Sequence, residues 1–260
     1  MANDYVLTAL KAAAPRPIET ASRKDKKNYA ERFSREMSTC VANSLRHDFR
    51  GITPDPNGGR QEWPARSARG LKKLDVNYST PELGLGLGVS IKTINFIDRS
   101  TKRFTKNYSR NDNELRAEAK DYHERQPYAV LVAVIMLPVA STEDGKTGAS
   151  SFGAAVQYFK HRGNRHEPRD EAERFERVFV GLYDPDLDAG GCRGFWDVSQ
   201  PPPQKGMPSG PHLLTWDQMI GEITRTYDAR NRPPVIWADG SDSTAPEDLF
   251  AEAEADDDDA

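Results

Sequence analysis

One carboxylate and one amine stand in neighbouring extended segments in the first third of the chain. Asp75 lies in a short alternating stretch, and Lys92 lies in a second stretch rich in β-branched residues, two positions after Ser90. Alternate residues of a strand share a face, so Ser90 and Lys92 point in the same direction. If residues 79–88 connect two antiparallel strands, Asp75 comes to lie beside Ser90 and Lys92.

Such a pair suits the hydrolysis of phosphodiester bonds. A carboxylate can hold a divalent cation, which polarises a phosphoryl oxygen and lowers the pKa of a bound water molecule. An ammonium group can stabilise the charge that develops on the phosphate, or it can position the attacking water. Both residues also have simpler interpretations, since Asp75 could be a turn residue at a strand end and Lys92 could face solvent.

Hydrophobic periodicity predicts the elements that must position this pair. Helices are expected at 5–13, at 28–46, from a capping residue within 111–113 to about 125, and at 216–230. Strands are expected at 71–78, 89–97, 128–137, 177–183 and 195–198, and 152–160 is either a helix or a strand. This order predicts an α/β fold with a central mixed β-sheet flanked by helices.

The length of 260 residues is sufficient for a large core. We expect an N-terminal segment over 1–27, one α/β domain over 28–238 and a disordered acidic tail over 239–260. The longest apolar run has 11 residues, over 128–138, and a membrane-spanning helix needs about 20. With only two cysteines and no secretory signal at the N-terminus, the sequence predicts a cytoplasmic protein without a membrane segment.

The order of elements and the spacing of Asp75 from the Ser90-Ile91-Lys92 triplet resemble the PD-(D/E)XK nuclease superfamily, the fold of many type II restriction endonucleases. The resemblance covers residues 28–138. It implies a restriction-endonuclease-like sheet and a metal-dependent endodeoxyribonuclease that uses Mg²⁺, or Mn²⁺ in its place. It also implies a function in prokaryotic restriction or phage defence.

The resemblance assigns roles to individual residues. Asp75 matches the metal-binding aspartate, Lys92 the catalytic lysine, and Glu36 the acidic residue that often completes the metal site from the first helix. The backbone of Ile91 would assist in binding the metal. Glu36 has an alternative interpretation as an ordinary exposed acid of the helix.

Ser90 departs from the pattern of this family, which usually has Asp or Glu at that position. A hydroxyl is a neutral and weaker Mg²⁺ ligand, so Ser90 would assist in the site without supplying a charge. Glu36 and Glu82 are the candidates for the missing carboxylate. If neither supplies it, the site is degenerate and the domain binds nucleic acid without cutting it.

Two basic clusters flank the proposed site in sequence and are typical of phosphate contacts. The members proposed to bind nucleic acid are Arg66, Arg69, Lys72 and Lys73 before Asp75, and Lys102, Arg103, Lys106, Tyr108 and Arg110 after Lys92. Aromatic residues among the second group suit packing on sugars or bases. The alternative is that these are solvated charges on loops.

The distribution of charge along the chain is strongly asymmetric. Residues 1–120 carry 23 basic and 14 acidic side chains, whereas 239–260 carry ten acidic and no Lys or Arg side chains. A basic half followed by an acidic tail is a pattern found in nucleic-acid-binding proteins. We therefore expect DNA as the partner, and a homodimer or other defence-system subunits as further partners.

Two other functions stay open at the level of sequence. The first is a non-catalytic subunit of a defence complex that binds nucleic acid or serves assembly, which Ser90 favours. The second is an interaction protein that uses its acidic tail and does not bind DNA.

Overall fold

The computed structural model describes most of the chain. It covers residues 4–81, 84–145, 147–188 and 190–231, and the backbone of 235–236 and 242–243. Glu82 and nearly all of the acidic tail over 239–260 therefore lie outside the described residues.

Five helices occur in this part of the chain: α1 (Tyr5–Ala13), α2 (Arg23–Leu45), α3 (Tyr108–His123), α4 (Ser151–Phe159) and α5 (Trp216–Asn231). Short 3₁₀ turns follow at Val139–Thr142 and Lys160–Arg162. Side-chain caps fix the start of several helices, because Asp4, Ser22 and Ser150 accept hydrogen bonds from backbone N–H groups in the first turns of α1, α2 and α4.

The described strands are β1 (Pro64–Ser67), β2 (Gly70–Lys73), β3 (Val76–Thr80), β4 (Gly84–Thr93), β5 (Val130–Pro138), β6 (Arg177–Asp184), β7 (Gly191–Asp197), β8 (Leu213–Leu214), β9 (Val235–Ile236) and β10 (Asp242–Ser243). Strands β3 to β8 form one six-stranded sheet in sequence order, while β1–β2 and β9–β10 are separate antiparallel pairs.

The large sheet is mixed. Strands β4, β5 and β6 are parallel, and the remaining neighbours are antiparallel. Every residue of β5 is buried, as expected for a central parallel strand covered on both faces. The predicted α/β fold with a mixed sheet flanked by helices is therefore confirmed.

Helices cover both faces of the sheet and divide the core in two. One layer contains α1, α2 and α5, which pack on residues such as Val89 and Ile91 of β4. The other contains α3 and α4, which pack on the alternate residues of β5, such as Leu131 and Ile135. Helix α1 contributes Leu10 to the first layer, so the segment over 1–27 packs into the same core as the domain that follows it.

The predicted strand over 71–78 is divided in two by a break at Leu74 and Asp75. Leu74 packs over Gly88 of β4, where an added Cβ atom would lie 2.9 Å from a Leu74 methyl group. The absence of a side chain at Gly88 allows Leu74 to pack closely against β4 at the break. The segment over 152–160, left open by its sequence, is helical.

A buried ionic cluster lies at the start of β6. Glu176 accepts hydrogen bonds from the Arg165 guanidinium at 2.7 Å and from the Leu131 N–H at 2.7 Å. The His123 ring lies 3.4 Å from the same carboxylate. Burial disfavours the charge of Glu176, but His123, the Leu131 N–H and Arg165 outweigh this effect and lower the pKa of Glu176.

We expect Glu176→Gln to lower the free energy of unfolding by about 3 kcal/mol or more, because it leaves a buried guanidinium without its counter-charge. Urea denaturation at neutral pH would measure the change. Glu171→Gln is the control, since Glu171 pairs with Arg174 at an exposed position and should cost less than about 1 kcal/mol. Equal losses in the two variants would contradict the expectation.

Candidate functional site

Asp75 is held directly against the edge of β4. Its Oδ2 atom accepts a hydrogen bond from the Ile91 N–H at 2.6 Å. Strands β3 and β4 pair antiparallel, with Val76 opposite Val89. Asp75 immediately precedes β3 and therefore lies beside the part of the β4 edge that β3 does not cover. Burial raises the pKa of Asp75, while the Ile91 N–H and the charge of Lys92 oppose that rise.

Lys92 lies among carboxylates. Its Nζ atom is 3.3 Å from Oε2 of Glu114 on α3. Burial opposes its charge, but Glu118, Asp75 and Glu114 outweigh that effect and raise the pKa of Lys92. The ammonium group is therefore charged, and the three surrounding carboxyl groups leave the site with more acidic than basic groups.

Glu118, like Glu114, is an acid of this site that the sequence interpretation missed. One of its oxygens, Oε1, is buried and has no hydrogen-bond partner in the described part of the chain. Burial raises the pKa of Glu118 to about 8, with Lys92 lowering it and Asp75 raising it further. A buried carboxyl group with a free oxygen can hold a proton or bind a cation.

A signal for Glu118 was present in the sequence. It lies three residues after Leu115 and four before Tyr122, both fully buried. Residues at these spacings share one face of a helix, so the apolar stripe of α3 directs Glu118 toward the sheet. Glu114 lies one turn before Glu118 and shares its side of the helix.

Ser90 is buried and lies on the same face as Lys92. It pairs with Ala133 of β5, and Lys92 pairs with the next residue but one on the same strand, Ile135. The register therefore places Ser90 and Lys92 on the same face of the sheet, as the sequence predicts. Because Ser90 is neutral, any carboxylate opposite Asp75 must come from another element.

Glu36 is directed away from this site. Ser34 of α2 faces β4, since its hydroxyl donates to the Ile91 carbonyl at 3.2 Å. Glu36 is two positions further on and therefore about 200° around the helix. Its charge instead acts on Cys40, whose thiol contacts the Tyr5 carbonyl of α1.

The oxygen donors of Asp75, Glu118 and the Ile91 carbonyl are of the chemical type that hard divalent cations prefer. Asp75 and Glu118 supply carboxyl groups, and the Ile91 carbonyl has a second lone pair beyond the one used by Ser34. Mg²⁺ is commonly held by one or two carboxylates and retains several waters. In the described residues, no group of three or more His, Cys, Asp or Glu side chains could hold a metal ion, so a cation here depends on two carboxylates, the carbonyl and water.

The first basic cluster lies beside the site, but several of its members are paired. Arg69 and Lys72 both contact the buried carboxylate of Asp121, near the end of α3. Lys73 lies 3.4 Å from Glu62. Arg66 is exposed. Lys72 is therefore an anchor between β2 and α3, whereas Arg66 presents its charge to solvent.

The second basic cluster is more structural than its sequence suggests. Tyr108 is buried, and its hydroxyl donates to the Ser151 carbonyl at 2.7 Å, so it cannot stack on a base. Arg103 donates to the Ala149 carbonyl, and Lys106 pairs with Asp98 at 2.6 Å. Lys102 is exposed.

Arg110 connects this second cluster to the site. Its guanidinium bonds Glu114 at 2.8 Å, and Glu114 contacts Lys92. Together with Lys72, whose charge acts on Glu118, Arg110 brings positive charge to either side of the carboxylates.

A separate cleft of about 480 Å³ lies between the start of β6 and α5. It contains none of the residues around Lys92. Its arginines face acidic partners, since Glu222 contacts Arg177 and Arg225, and Glu176 contacts Arg230. This cleft is therefore an ion-paired region of the opposite end of the sheet, away from the candidate site.

Comparison with known proteins gives no relative from which a function could be inferred. No family model matches the chain, and neither a curated protein nor a solved structure matches it. Within the described ranges, none of the helices has the length and apolar character needed to cross a bilayer.

Proposed function

We propose that this protein is a Mg²⁺-dependent endonuclease that hydrolyses DNA phosphodiester bonds, with Asp75, Lys92 and Glu118 at its active site. One observation carries the proposal. Three carboxyl groups from two places in the fold, Asp75 just before β3 and Glu114 and Glu118 on α3, surround a charged lysine at the uncovered edge of β4. This arrangement of groups suits metal-assisted phosphoryl transfer.

Asp75, Glu118 and the Ile91 carbonyl would hold the cation. When bound, Mg²⁺ would stabilise negative charge on the phosphate and make a water molecule more acidic. The Ile91 N–H fixes the orientation of the Asp75 carboxylate. Lys92 supplies a fixed positive charge for the phosphate, or a donor that orients the attacking water.

Cleavage of supercoiled plasmid DNA tests the proposal. The purified full chain, with Mg²⁺ or Mn²⁺, should convert the plasmid to nicked or linear forms, and excess EDTA should prevent this. Plasmids with and without modified bases should both be used, because the target sequence is unknown. A failure to cut any of these DNAs with either ion would overturn the proposal.

A second candidate function is a DNA-binding subunit that does not cut. Ser90 is buried and neutral, and the described residues contain no ready-made cluster of three metal ligands. Salt-sensitive DNA binding without cleavage would favour this function. For either function, we propose a cytoplasmic location and other defence-system subunits as partners. For the nuclease we also propose a homodimer, because cutting two antiparallel strands favours twofold symmetry.

We expect deletion of residues 239–260, which carry ten acidic side chains, to tighten binding to DNA several-fold at low salt. The reason is that the segment competes with phosphate for the basic surface. Fluorescence anisotropy with a labelled duplex measures the affinity. A full-length variant with those acids changed to Asn and Gln should behave like the deletion, and unchanged affinity in both would reject the idea.

A further inference from the structure

The antiparallel pair β1–β2 has an outer face that combines positive charge with exposed apolar side chains. Arg66 lies directly opposite Leu71, so the two share a face. Leu71 is 68% exposed, and Trp63, just before β1, is 45% exposed. The Arg60 guanidinium lies 5.1 Å from the centroid of the Trp63 ring.

Among the described residues, Arg66 carries the unpaired charge of this segment. Residues 60–73 carry five basic side chains and one acid, Glu62. Four of the five basic side chains have acidic partners, since Arg69 and Lys72 contact Asp121, Lys73 contacts Glu62 and Arg60 lies 3.9 Å from Asp55. An exposed apolar surface beside an unpaired guanidinium suits a polyanion with flat apolar groups.

The inner side of the same pair is firmly attached to the domain. The Ala68 N–H donates to the Asp121 carbonyl at 2.7 Å, and the Tyr122 hydroxyl donates to the Lys72 carbonyl at 2.9 Å. Asn77 donates to the Trp63 carbonyl at 3.2 Å. The outer face is therefore held outward in a fixed orientation, which lowers the entropic cost of binding a partner.

We infer that β1–β2 enters a groove of double-stranded DNA, with Arg66 on the phosphates and Leu71 and Trp63 against the groove wall. The major groove admits a two-stranded β-ribbon. The ribbon ends at Lys73, two residues before Asp75, so its contact with DNA would bring a phosphate to the candidate site. This inference rests on the proposed function and names the surface that contacts its substrate.

Binding in EDTA tests the inference without requiring cleavage. Leu71→Ala and Arg66→Ala should each weaken binding of the full chain to a fluorescein-labelled 20-base-pair duplex about five- to tenfold. Arg66→Ala should also lower the salt dependence by about one released counterion, whereas Leu71→Ala should leave it unchanged. Tyr128→Ala and Arg169→Ala, at exposed positions outside the ribbon, are the matched controls and should bind like the wild type.

A spectroscopic measurement adds an independent readout. In a Trp237→Phe background, Trp63 is the exposed tryptophan, because Trp196 and Trp216 are buried. Its emission should be quenched when the duplex binds, and this change should be absent in Trp63→Phe.

The outcomes separate the inference from the proposed function. If the wild type binds the duplex and both ribbon variants bind equally well, the inference is overturned and the nuclease proposal stands. If the ribbon variants lose binding but the wild type never cuts with Mg²⁺ or Mn²⁺, the inference holds and the nuclease proposal fails. A wild type that does not bind duplex DNA at low salt overturns both.

Discussion

Asp75→Asn and Lys92→Met should each slow plasmid cleavage about 100-fold or more while the fold is retained. Asn keeps an oxygen that can accept from the Ile91 N–H, and it removes the charge needed by a cation. Met keeps the apolar stem of Lys92 and removes the ammonium group that faces Glu114. Single-turnover rates with Mg²⁺, measured with protein in excess over DNA, report the chemical step.

Controls of the same chemistry are available elsewhere in the chain. Asp186→Asn alters an exposed carboxylate, and Lys120→Met alters a lysine of α3 that pairs with Glu173. Both should cut at the wild-type rate. Wild-type cleavage by Asp75→Asn and Lys92→Met would place the activity at another site.

Glu118→Gln should produce the second large effect, a change in the dependence on both Mg²⁺ and pH. The variant should need at least about tenfold more Mg²⁺ for half-maximal cleavage, because it loses a charged ligand. Without metal, burial raises the pKa of Glu118 to about 8, so Mg²⁺ must compete with a proton for this carboxyl group. The Mg²⁺ concentration needed for half-maximal cleavage by the wild type should therefore fall as the pH rises toward 8, and this fall should be absent or much smaller in the Gln variant.

The same residue should affect stability in the opposite direction. Its pKa is raised from 4.5 to about 8, so the folded state holds a proton that the unfolded state releases. Wild-type stability therefore falls as the pH rises from about 5 to about 8, and Glu118→Gln avoids this loss. At pH 9 without Mg²⁺, the variant should be more stable by about 2 kcal/mol.

Thermal unfolding with and without Mg²⁺ distinguishes ligand binding from simple burial. Added Mg²⁺ should raise the Tm of the wild type at pH 9, because it binds the folded state. The Gln variant should respond much less. Equal responses of the two proteins, together with equal cleavage, would remove Glu118 from the site.

The pairing of the two strands could be predicted from local pattern. β-branched alternation indicated the strand of Lys92, and the short connection implied an antiparallel partner that carries Asp75 near it. What the pattern did not reveal is the break before β3. At this break Leu74 packs over Gly88, a contact between residues 14 positions apart.

The acids of α3 were harder to predict than Asp75. A helix carries acidic residues on most of its surface, and only the stripe defined by Leu115 and Tyr122 shows that Glu118 points inward. The apolar pattern of α2 led to Glu36 by similar reasoning, but it is Ser34, two positions earlier, that contacts the Ile91 carbonyl. Contacts with the sheet, which the sequence of a single helix does not contain, decide which acid reaches the site.

The basic clusters illustrate a further limit of composition. Counts of Lys and Arg do not show which of them are neutralised. In the first cluster, Arg69 and Lys72 both form ion pairs with Asp121. Tyr108 was interpreted as a surface aromatic because it stands among charged residues. It is instead a core residue that joins the start of α3 to α4.

Helix α3 carries both the site acids and the attachment of the β1–β2 pair. Glu118 and Asp121 are less than one turn apart, so any variant that distorts the last turns of this helix alters both at once. Efforts to redirect target choice should therefore be confined to outward positions such as Arg66 and Leu71. Under the proposed nuclease function, changes at Asp121 or Tyr122 would reduce turnover together with selectivity, and the two effects could not be engineered separately.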